Sequence, residues 1–320
     1  MKLNKYLIYT IAIIFSFAFI SCNDDVEKNG NGNENDVRKL PSKITIRSTY
    51  VGCIWNSGVI TFNYDNQNRL TKIVFDENER QIIEYDANGR ISRAINIWDG
   101  GISYRNFEYI GNTIIITNSW DNSSTELLTL NADGQLTSIE WNRQDSWLRE
   151  RAVTTLNYTA GNLIRMDTNG HKEDLHWGEI FSREEQFDYT YSEYLNIFRN
   201  AASPNWLKMM FLQEFGLFLF TPSRNMPSKT TLVGNGWNNE FAFTHEADAD
   251  GYVTSSIVTI SWVGSDWDNY ENRTTRNLSK RESGVSLRSN FFGNFQSNLR
   301  SATSTNSETA IITYEYILAQ

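Results

Sequence analysis

The sequence predicts an all-β domain: an antiparallel β-meander curled into a barrel-like or open-barrel sheet, with one helical insertion. Two observations carry this prediction. Apolar and polar residues alternate over short segments, as where Ile60, Phe62 and Tyr64 share one face of a strand. Similar hairpin units then recur along the chain, so strands that are neighbours in sequence are expected to pair.

Residues 1–21 have the pattern of a signal peptide. Two lysines precede an almost unbroken apolar stretch from Tyr6 to Ile20, which is too short and too early for a mature transmembrane helix. The Ser21-Cys22 pair that follows resembles a bacterial lipobox, in which the cysteine is acylated and becomes the mature N-terminus. This resemblance predicts lipidation at Cys22 and an anchor in the outer membrane.

Residues 22–41 are predicted to form a flexible linker. Residues 28–36 read KNGNGNEND, which contains no aromatic residue and nothing to bury in a core. The Asn23-Asp24-Asp25 run directly after the cysteine resembles the surface-export signal of Bacteroidetes lipoproteins. That resemblance implies a domain that faces the cell exterior.

The β-meander is expected over residues 42–320, built from a repeated hairpin unit. In each unit one strand ends, Asx residues turn the chain, and an apolar residue resumes the inward face. Tyr64 and Tyr85 mark the first two copies, 21 residues apart. Looser copies occupy residues 128–136, 156–163 and 243–253. Gly89 and Gly134 are predicted to supply the positive φ that these tight turns need.

Two segments depart from this pattern. Residues 204–220 place Leu207, Met210 and Phe211 at helical spacing, which predicts a helix that plugs or caps the sheet. Residues 273–306 are rich in Ser, Asn and Arg and are predicted to form a long mobile loop.

The composition and motifs exclude several classes of function. A formal net charge of −9 disfavours a nucleic-acid partner, which would need a basic face. No zinc-protease motif, Gly-x-Ser-x-Gly elbow or P-loop occurs. His171 and His176 are spaced so that they converge on neither a helix nor a strand. The sequence therefore predicts no metal, no cofactor and no catalytic residue.

The tryptophans are the feature that indicates a ligand. The chain has ten, and several stand directly before Asn or Asp at an expected strand end. Such a pair offers a saccharide an apolar platform beside hydrogen-bonding groups, whereas packing in the core is the alternative explanation. The candidate ligand contacts are Trp98, Asp99, Trp120, Asp121, Trp141 and Asn142.

The hairpin units resemble the YD repeats of RHS proteins, although they are fewer and less regular. With the lipobox, the Asn-rich linker, the SRNMPS segment at 223–228, the DGYV hairpin at 250–253 and the Tyr-rich last strand, the layout is similar to a family of uncharacterised Bacteroidetes lipoproteins with a porin-like fold. The resemblance covers most of residues 22–320. It implies a fold and a cellular address, and it names no catalytic residue.

Together these features predict a surface-exposed lipoprotein whose main activity is non-catalytic binding, with glycans as the candidate ligand. Two alternatives remain open. One is a structural or adhesive envelope protein that binds protein partners. The other is a hydrolase with an unrecognised carboxylate pair, since the spatial spacing of Asp and Glu is not visible in the sequence.

Overall fold

The computed structural model describes residues 38–48, 58–119, 124–176, 178–204, 206–207, 210, 221–234, 237–262 and 307–320. The signal peptide, Cys22, most of the predicted linker, Trp120, Asp121 and the predicted loop at 273–306 lie outside these residues. Among the described residues no helix is long and apolar enough to cross a membrane.

The described strands form one closed antiparallel barrel in which sequence order equals spatial order. They are β1 Lys39–Ser48, β2 Gly58–Tyr64, β3 Leu70–Val74, β4 Arg80–Tyr85, β5 Ile91–Trp98, β6 Gly101–Ile110, β7 Thr113–Asn118, β8 Ser124–Leu130, β9 Leu136–Gln144, β10 Leu148–Thr159, β11 Asn162–Asp174, β12 Glu179–Leu195, β13 Asn225–Gly234, β14 Trp237–Ala247, β15 Val253–Trp262 and β16 Ser307–Leu318. β1 pairs with both β2 and β16, which closes the sheet. The predicted meander is confirmed, and the sheet is closed rather than open.

The first strand begins earlier than the sequence pattern indicates. β1 starts at Lys39, so residues 39–41 belong to the barrel although the sequence assigns them to the linker. Residues 39–41 pair with Tyr316–Leu318 of β16 and Leu40 is buried, while the Lys39 ammonium lies 2.9 Å from the Asp248 carboxylate and 2.7 Å from that of Asp250, in the turn between β14 and β15. These partners are distant in sequence, so a local reading of the linker cannot detect them.

Side chains alternate between an apolar inner face and a polar outer face. On β14, for example, Phe241 and Phe243 are buried whereas Ala242 and Thr244 are exposed. The buried apolar side chains on the inner face belong to one hydrophobic cluster. The outer face carries cross-strand ion pairs such as Lys43–Glu315, Arg149–Glu173 and Arg151–Glu140.

Four turns at one end of the barrel share a single hydrogen-bond pattern. In each, the side-chain oxygen of the first residue accepts hydrogen bonds from the backbone N–H groups two and four positions later. The turns are residues 65–69, 86–90, 131–135 and 248–252. Their fourth residues, Asn68, Gly89, Gly134 and Gly251, have φ between 60° and 77°. The positive φ predicted for Gly89 and Gly134 is confirmed.

An arginine and a tyrosine fasten the first turns to one another. The Arg69 guanidinium bonds the Asp65 carboxylate at 2.7 Å and lies over the Tyr85 ring of the next unit, 4.4 Å from its centroid. Arg90 repeats the arrangement with Asp86 and lies over the Tyr109 ring at 4.7 Å. The YD-like pattern in the sequence therefore corresponds to a contact between successive hairpins.

The connection between β12 and β13 lies at this same end, and its described residues pack against the inner wall. Phe198 lies edge-on to Phe62 with ring centroids 5.2 Å apart, and Trp206 lies 5.9 Å from Phe107. Trp206, Leu207 and Met210 are helical and almost fully buried, whereas residues 205, 208–209 and 211–220 lie outside the described residues. We call the described part of this connection the plug. Most of the segment 204–220, for which the sequence predicts a plugging or capping helix, lies outside the described residues, so that expectation stays a prediction.

Two serines at the edges of the plug replace missing strand partners in the wall. Ser203 accepts a hydrogen bond from the Leu70 N–H at 2.7 Å, and Ser223 accepts one from the Leu163 N–H at 3.0 Å. In each case a tyrosine hydroxyl bonds both the serine and the carbonyl of the same leucine; these are Tyr85 and Tyr191. We call each group of serine, leucine and tyrosine a serine clamp.

Candidate functional site

The barrel has two chemically different ends. The plugged end carries the four Asx turns and the serine clamps. The opposite end, here called the distal end, carries the β5–β6 turn at residues 99–100 and the β9–β10 turn at 145–147. Of the candidate residues named from the sequence, Trp98, Asp99, Trp141 and Asn142 lie on strands or turns near the distal end.

Trp98 is the last residue of β5. It is on the same face of the strand as the fully buried Ala94. Its side chain is half-buried and lies against the β5–β6 turn. A Cβ at Gly100 would be 2.6 Å from the Trp98 indole nitrogen, so glycine is what leaves room for the ring. Asp99 is exposed in the same turn.

Trp141 is inward-facing on β9, opposite Glu126 on β8 and Ala152 on β10. Its indole nitrogen is buried and has no hydrogen-bond partner among the described residues. Trp98 and Trp141 therefore share the inner face near the distal end. They are four strand positions apart, which is about 19 Å along the wall at about 4.8 Å per strand.

Asn142 is not brought together with Trp141. Adjacent residues of a strand point to opposite faces, so Asn142 lies on the outer wall, where its amide donates to the Glu140 carboxylate at 3.2 Å. Trp120 and Asp121 lie outside the described residues. Of the six candidates, the described structure thus places Trp98 and Trp141 on the inner face, Asp99 in an exposed turn and Asn142 outside.

The inner face near the distal end is polar, in contrast to the apolar inner face near the plug. Along β8 the inward residues change from Leu128 to Glu126 to Ser124, and on β9 from Ile139 to Trp141 to Arg143. The same change occurs on β4, β5, β6 and β10. We call this set the inner polar belt, comprising Gln81, Asn96, Ser103, Arg105, Ser124, Glu126, Trp141, Arg143 and Glu150.

Several atoms of the inner polar belt are buried yet lack a hydrogen-bond partner among the described residues. They are Gln81 Oε1, Asn96 Oδ1, Trp141 Nε1 and Glu150 Oε2. Gln81 as a whole is only 3% exposed. Because buried polar groups are nearly always satisfied in folded proteins, each of these atoms requires a partner beyond the described residues, such as ordered water or another group.

A histidine and a serine inside the wall resemble part of a catalytic arrangement but are closed off from solvent. His245 Nδ1 lies 2.7 Å from Ser256 Oγ, and its Nε2 lies 2.7 Å from the Pro227 carbonyl. The carbonyl can only accept, so Nε2 carries the proton and Ser256 donates to Nδ1. Burial lowers the pKa of His245, although the bond to Pro227 partly offsets this. Ser256 is 0% exposed, so no substrate can reach its hydroxyl.

An open depression of about 400 Å³ lies on the outer wall across β10, β11 and β12. Arg151, His171 and Glu184 line it, and the Arg151 guanidinium is already 3.0 Å from the Glu140 carboxylate. His176 is in the β11–β12 turn, with its ring 5.5 Å from that of Trp147. In the described part of the chain no group of three or more His, Cys, Asp or Glu residues is arranged to hold a metal ion.

The inner polar belt was not predicted from the sequence, because the sequence predictions depend on motifs and on the tryptophans. A detectable signal exists: on β4–β6 and β8–β10, polar residues occupy the inward parity on the side away from the Asx turns. That signal can be read only after the pairing register is known, because each strand alone shows just one or two unexpected polar residues.

The chain matches no protein-family model and no curated protein sequence. It is similar to two solved structures, both described as porin-like proteins. The one from Bacteroides uniformis is 11% identical, with 87% of this chain and 98% of that chain covered and a TM-score of 0.37. The one from Bacteroides vulgatus is 12% identical, with 72% of this chain and 100% of that chain covered and a TM-score of 0.32. At these values the likeness carries no argument about activity.

Proposed function

We propose that this protein is a lipid-anchored outer-membrane protein that binds glycans, without cleaving them, at the distal end of its barrel. One observation carries the proposal. Trp98 and Trp141 both lie on the inner face near the distal end, within a belt of polar side chains, while the plug packs inside the opposite end. Indole rings beside amides and carboxylates suit the apolar and hydroxylated faces of a sugar.

The charged outer wall favours attachment to the membrane through an N-terminal lipid over insertion of the barrel into the membrane. A lipid-facing wall carries an apolar band, and charged residues on that face are destabilising. Here the outward side chains include the ion pairs Lys43–Glu315, Arg93–Glu84 and Lys229–Glu240. The lipid expected on Cys22 would then hold a barrel whose wall faces water.

The binding test is tryptophan-fluorescence titration of the full-length protein, in a detergent without a sugar headgroup, after a glycan array has selected ligands. Affinity is expected between about micromolar and millimolar, because two ring contacts offset only part of the cost of association. Trp98→Ala and Trp141→Ala should each weaken binding. Trp147→Ala is the matched control, since this ring is 57% exposed in the neighbouring turn.

Two outcomes would overturn the proposal. If no glycan binds, or if Trp98→Ala and Trp141→Ala bind as well as the control, the tryptophans are structural. If the glycans that bind are also shortened during incubation, as chromatography would show, the protein is a hydrolase.

The anchor is tested separately. Cys22→Ala should abolish acylation and move the protein from the detergent phase to the aqueous phase. Protease added to intact cells should cut within residues 22–38 and release the barrel. Cleavage that occurs only after lysis would place the barrel inside the periplasm.

A protein-binding envelope component is the second candidate function, and one feature of the outer wall favours it. Ile257 and Ile311 are directly opposite each other on β15 and β16, and they are 43% and 42% exposed. A photo-crosslinking residue at position 311 in intact cells should yield a discrete adduct if a protein partner covers this pair, and none if the pair faces solvent.

A further inference from the structure

We propose that the outer wall at β4, β5 and β6 is a contact surface for a second copy of this chain, so that anchored barrels pair side by side. Five apolar side chains of these strands face outward and form this surface, here called the isoleucine patch: Ile82, Ile95, Ile97, Ile102 and Tyr104. That the copies share one membrane rests on the proposed lipid anchor, whereas the contact surface rests on the described strands alone.

The strand pairing makes the isoleucine patch continuous. Ile82 on β4 is opposite Ile95 on β5, and Ile95 is opposite Tyr104 on β6. In the neighbouring outward row, Ile97 is opposite Ile102. Side chains that are directly opposite on one face of a sheet touch each other, so these five residues form one surface rather than scattered contacts.

The isoleucine patch is accessible, and the elements around it are described. Ile102 is 52% exposed, and the other four side chains are partly exposed. The connections that join β3 to β4, β4 to β5, β5 to β6 and β6 to β7 all lie within the described residues, at 75–79, 86–90, 99–100 and 111–112. A contiguous apolar surface on a wall that also carries ion pairs is typical of a site that another molecule covers.

A charged pair beside the isoleucine patch favours a second copy as that molecule. In the next outward row Glu84 on β4 is opposite Arg93 on β5, and the Arg93 guanidinium lies 3.1 Å from the Glu84 carboxylate. In a two-fold pair the same surface of both copies meets itself. An axis that passes between these unlike charges brings each Arg93 near Glu84 of the second copy, so the two patches meet without like charges opposite each other.

The surrounding charges disfavour a lipid surface as the occupant. Lys72 and Arg80 lie beside the isoleucine patch, but the adjoining β3–β4 turn carries Asp76, Glu77 and Glu79. Anionic lipid surfaces attract segments in which basic residues dominate. The excess of carboxylates here is opposite to that requirement.

The position of the N-terminus supports contact between equal copies. β1 begins at Lys39 at the plugged end, and the predicted linker joins this end to Cys22 in every copy. A flexible chain of the length of residues 23–38 has a root-mean-square span of roughly 22 Å. Identical tethers hold the barrels at similar heights above the membrane, so the isoleucine patch of one copy can meet that of another.

The size of the isoleucine patch predicts a weak pair. Three strands about 4.8 Å apart and two outward rows about 7 Å apart cover a few hundred Å² at most. A stable interface buries about 800 Å² on each partner. We therefore expect the pair to dissociate in dilute detergent and to form where the anchors concentrate the copies in one membrane.

Disulfide crosslinking of the full-length protein in intact cells provides the first test. Ile95→Cys and Ile102→Cys should each give a product of twice the chain mass on oxidation. Thr155→Cys is the matched control, because Thr155 is exposed on the outer face of β10, and the unchanged chain with Cys53 sets the background. Linking at Thr155→Cys equal to that at both patch positions, or an adduct of a different mass at the patch, would overturn the inference.

A charge exchange tests whether the occupant is a second copy. In the Ile95→Cys background, Arg93→Glu should lower the yield of linked dimer severalfold, because two carboxylates then lie opposite each other. Adding Glu84→Arg should restore the yield, since the exchanged pair is again complementary to itself. A different protein on this surface would not be rescued by the second change, so a yield that stays low would overturn the inference. Glycan binding and acylation are measured independently, so an absent dimer leaves the proposed function in place.

Discussion

Replacing Ser203 by alanine isolates one serine clamp. The Leu70 N–H donates to Ser203 Oγ at 2.7 Å, and Leu70 is only 1% exposed. Alanine leaves this donor buried without a partner, which costs about 1–3 kcal/mol. Tyr85 loses its bond to the serine but keeps the Leu70 carbonyl as an acceptor, so its loss adds little. We therefore expect the free energy of unfolding to fall by about 2 kcal/mol.

The assay is urea unfolding of the full-length protein followed by tryptophan fluorescence, with an unchanged slope required for a valid comparison. Ser182→Ala is the matched control because Ser182 is exposed on the outer face of β12. Ser223→Ala should repeat the effect, since Ser223 accepts the Leu163 N–H in the same way. If Ser203→Ala and Ser223→Ala both unfold within about 0.5 kcal/mol of the control, the clamps do not hold the plug and the reasoning is refuted.

Three further outcomes follow from buried ionisable groups and from the turns. Burial raises the pKa of Tyr85 and Tyr191 to about 12. The stability that depends on their neutral form should therefore be complete below about pH 10 and lost as the pH rises toward 12. Urea unfolding at pH 9 and 11 measures this, and equal free energies of unfolding at the two pH values would contradict it. Burial lowers the pKa of His245, so the folded state favours the neutral ring. The free energy of unfolding should be at its full value above about pH 6.5 and should decrease as the pH falls through the lowered pKa. His245→Gln should remove this dependence of stability on pH between about pH 7 and 5. Gly89→Val should cost about 1–2 kcal/mol because a β-branched residue resists a φ of 77°. Asn68→Gly at the equivalent turn position keeps the positive φ and loses only the exposed hydrogen bonds between the Asn68 amide and the Gln320 backbone, so it should cost less. Equal melting temperatures for both variants would show that the turn geometry is wrong.

Local features of the fold could be read from the sequence because their causes are local. The hairpin turns depend on an Asx side chain and a left-handed residue within five positions, so the turn at Gly89 was predictable from residues 85–91. Strand alternation likewise depends on neighbours two positions apart. The barrel closure was not predictable, because it depends on the pairing of β1 with β16 at the two ends of the domain.

The candidate site was only half predictable for a related reason. The Trp-Asn pair at 141–142 looks like one unit in the sequence, yet the strand places Trp141 inside the barrel and Asn142 on the outer wall. Gln81 and Glu150 carry no motif, and only the strand pairing shows that both are inward, each with one side-chain oxygen that has no partner among the described residues.

By itself the sequence determined that the chain forms short antiparallel strands joined by Asx turns, because these depend on residues close together in the chain. Only the tertiary structure decided that the sheet closes, that described residues of the β12–β13 connection pack inside one end, and that polar side chains gather inside the other. Each of these results depends on which distant strands become neighbours. A period of two separates the faces of a strand, but the closure of the barrel assigns one face to the interior.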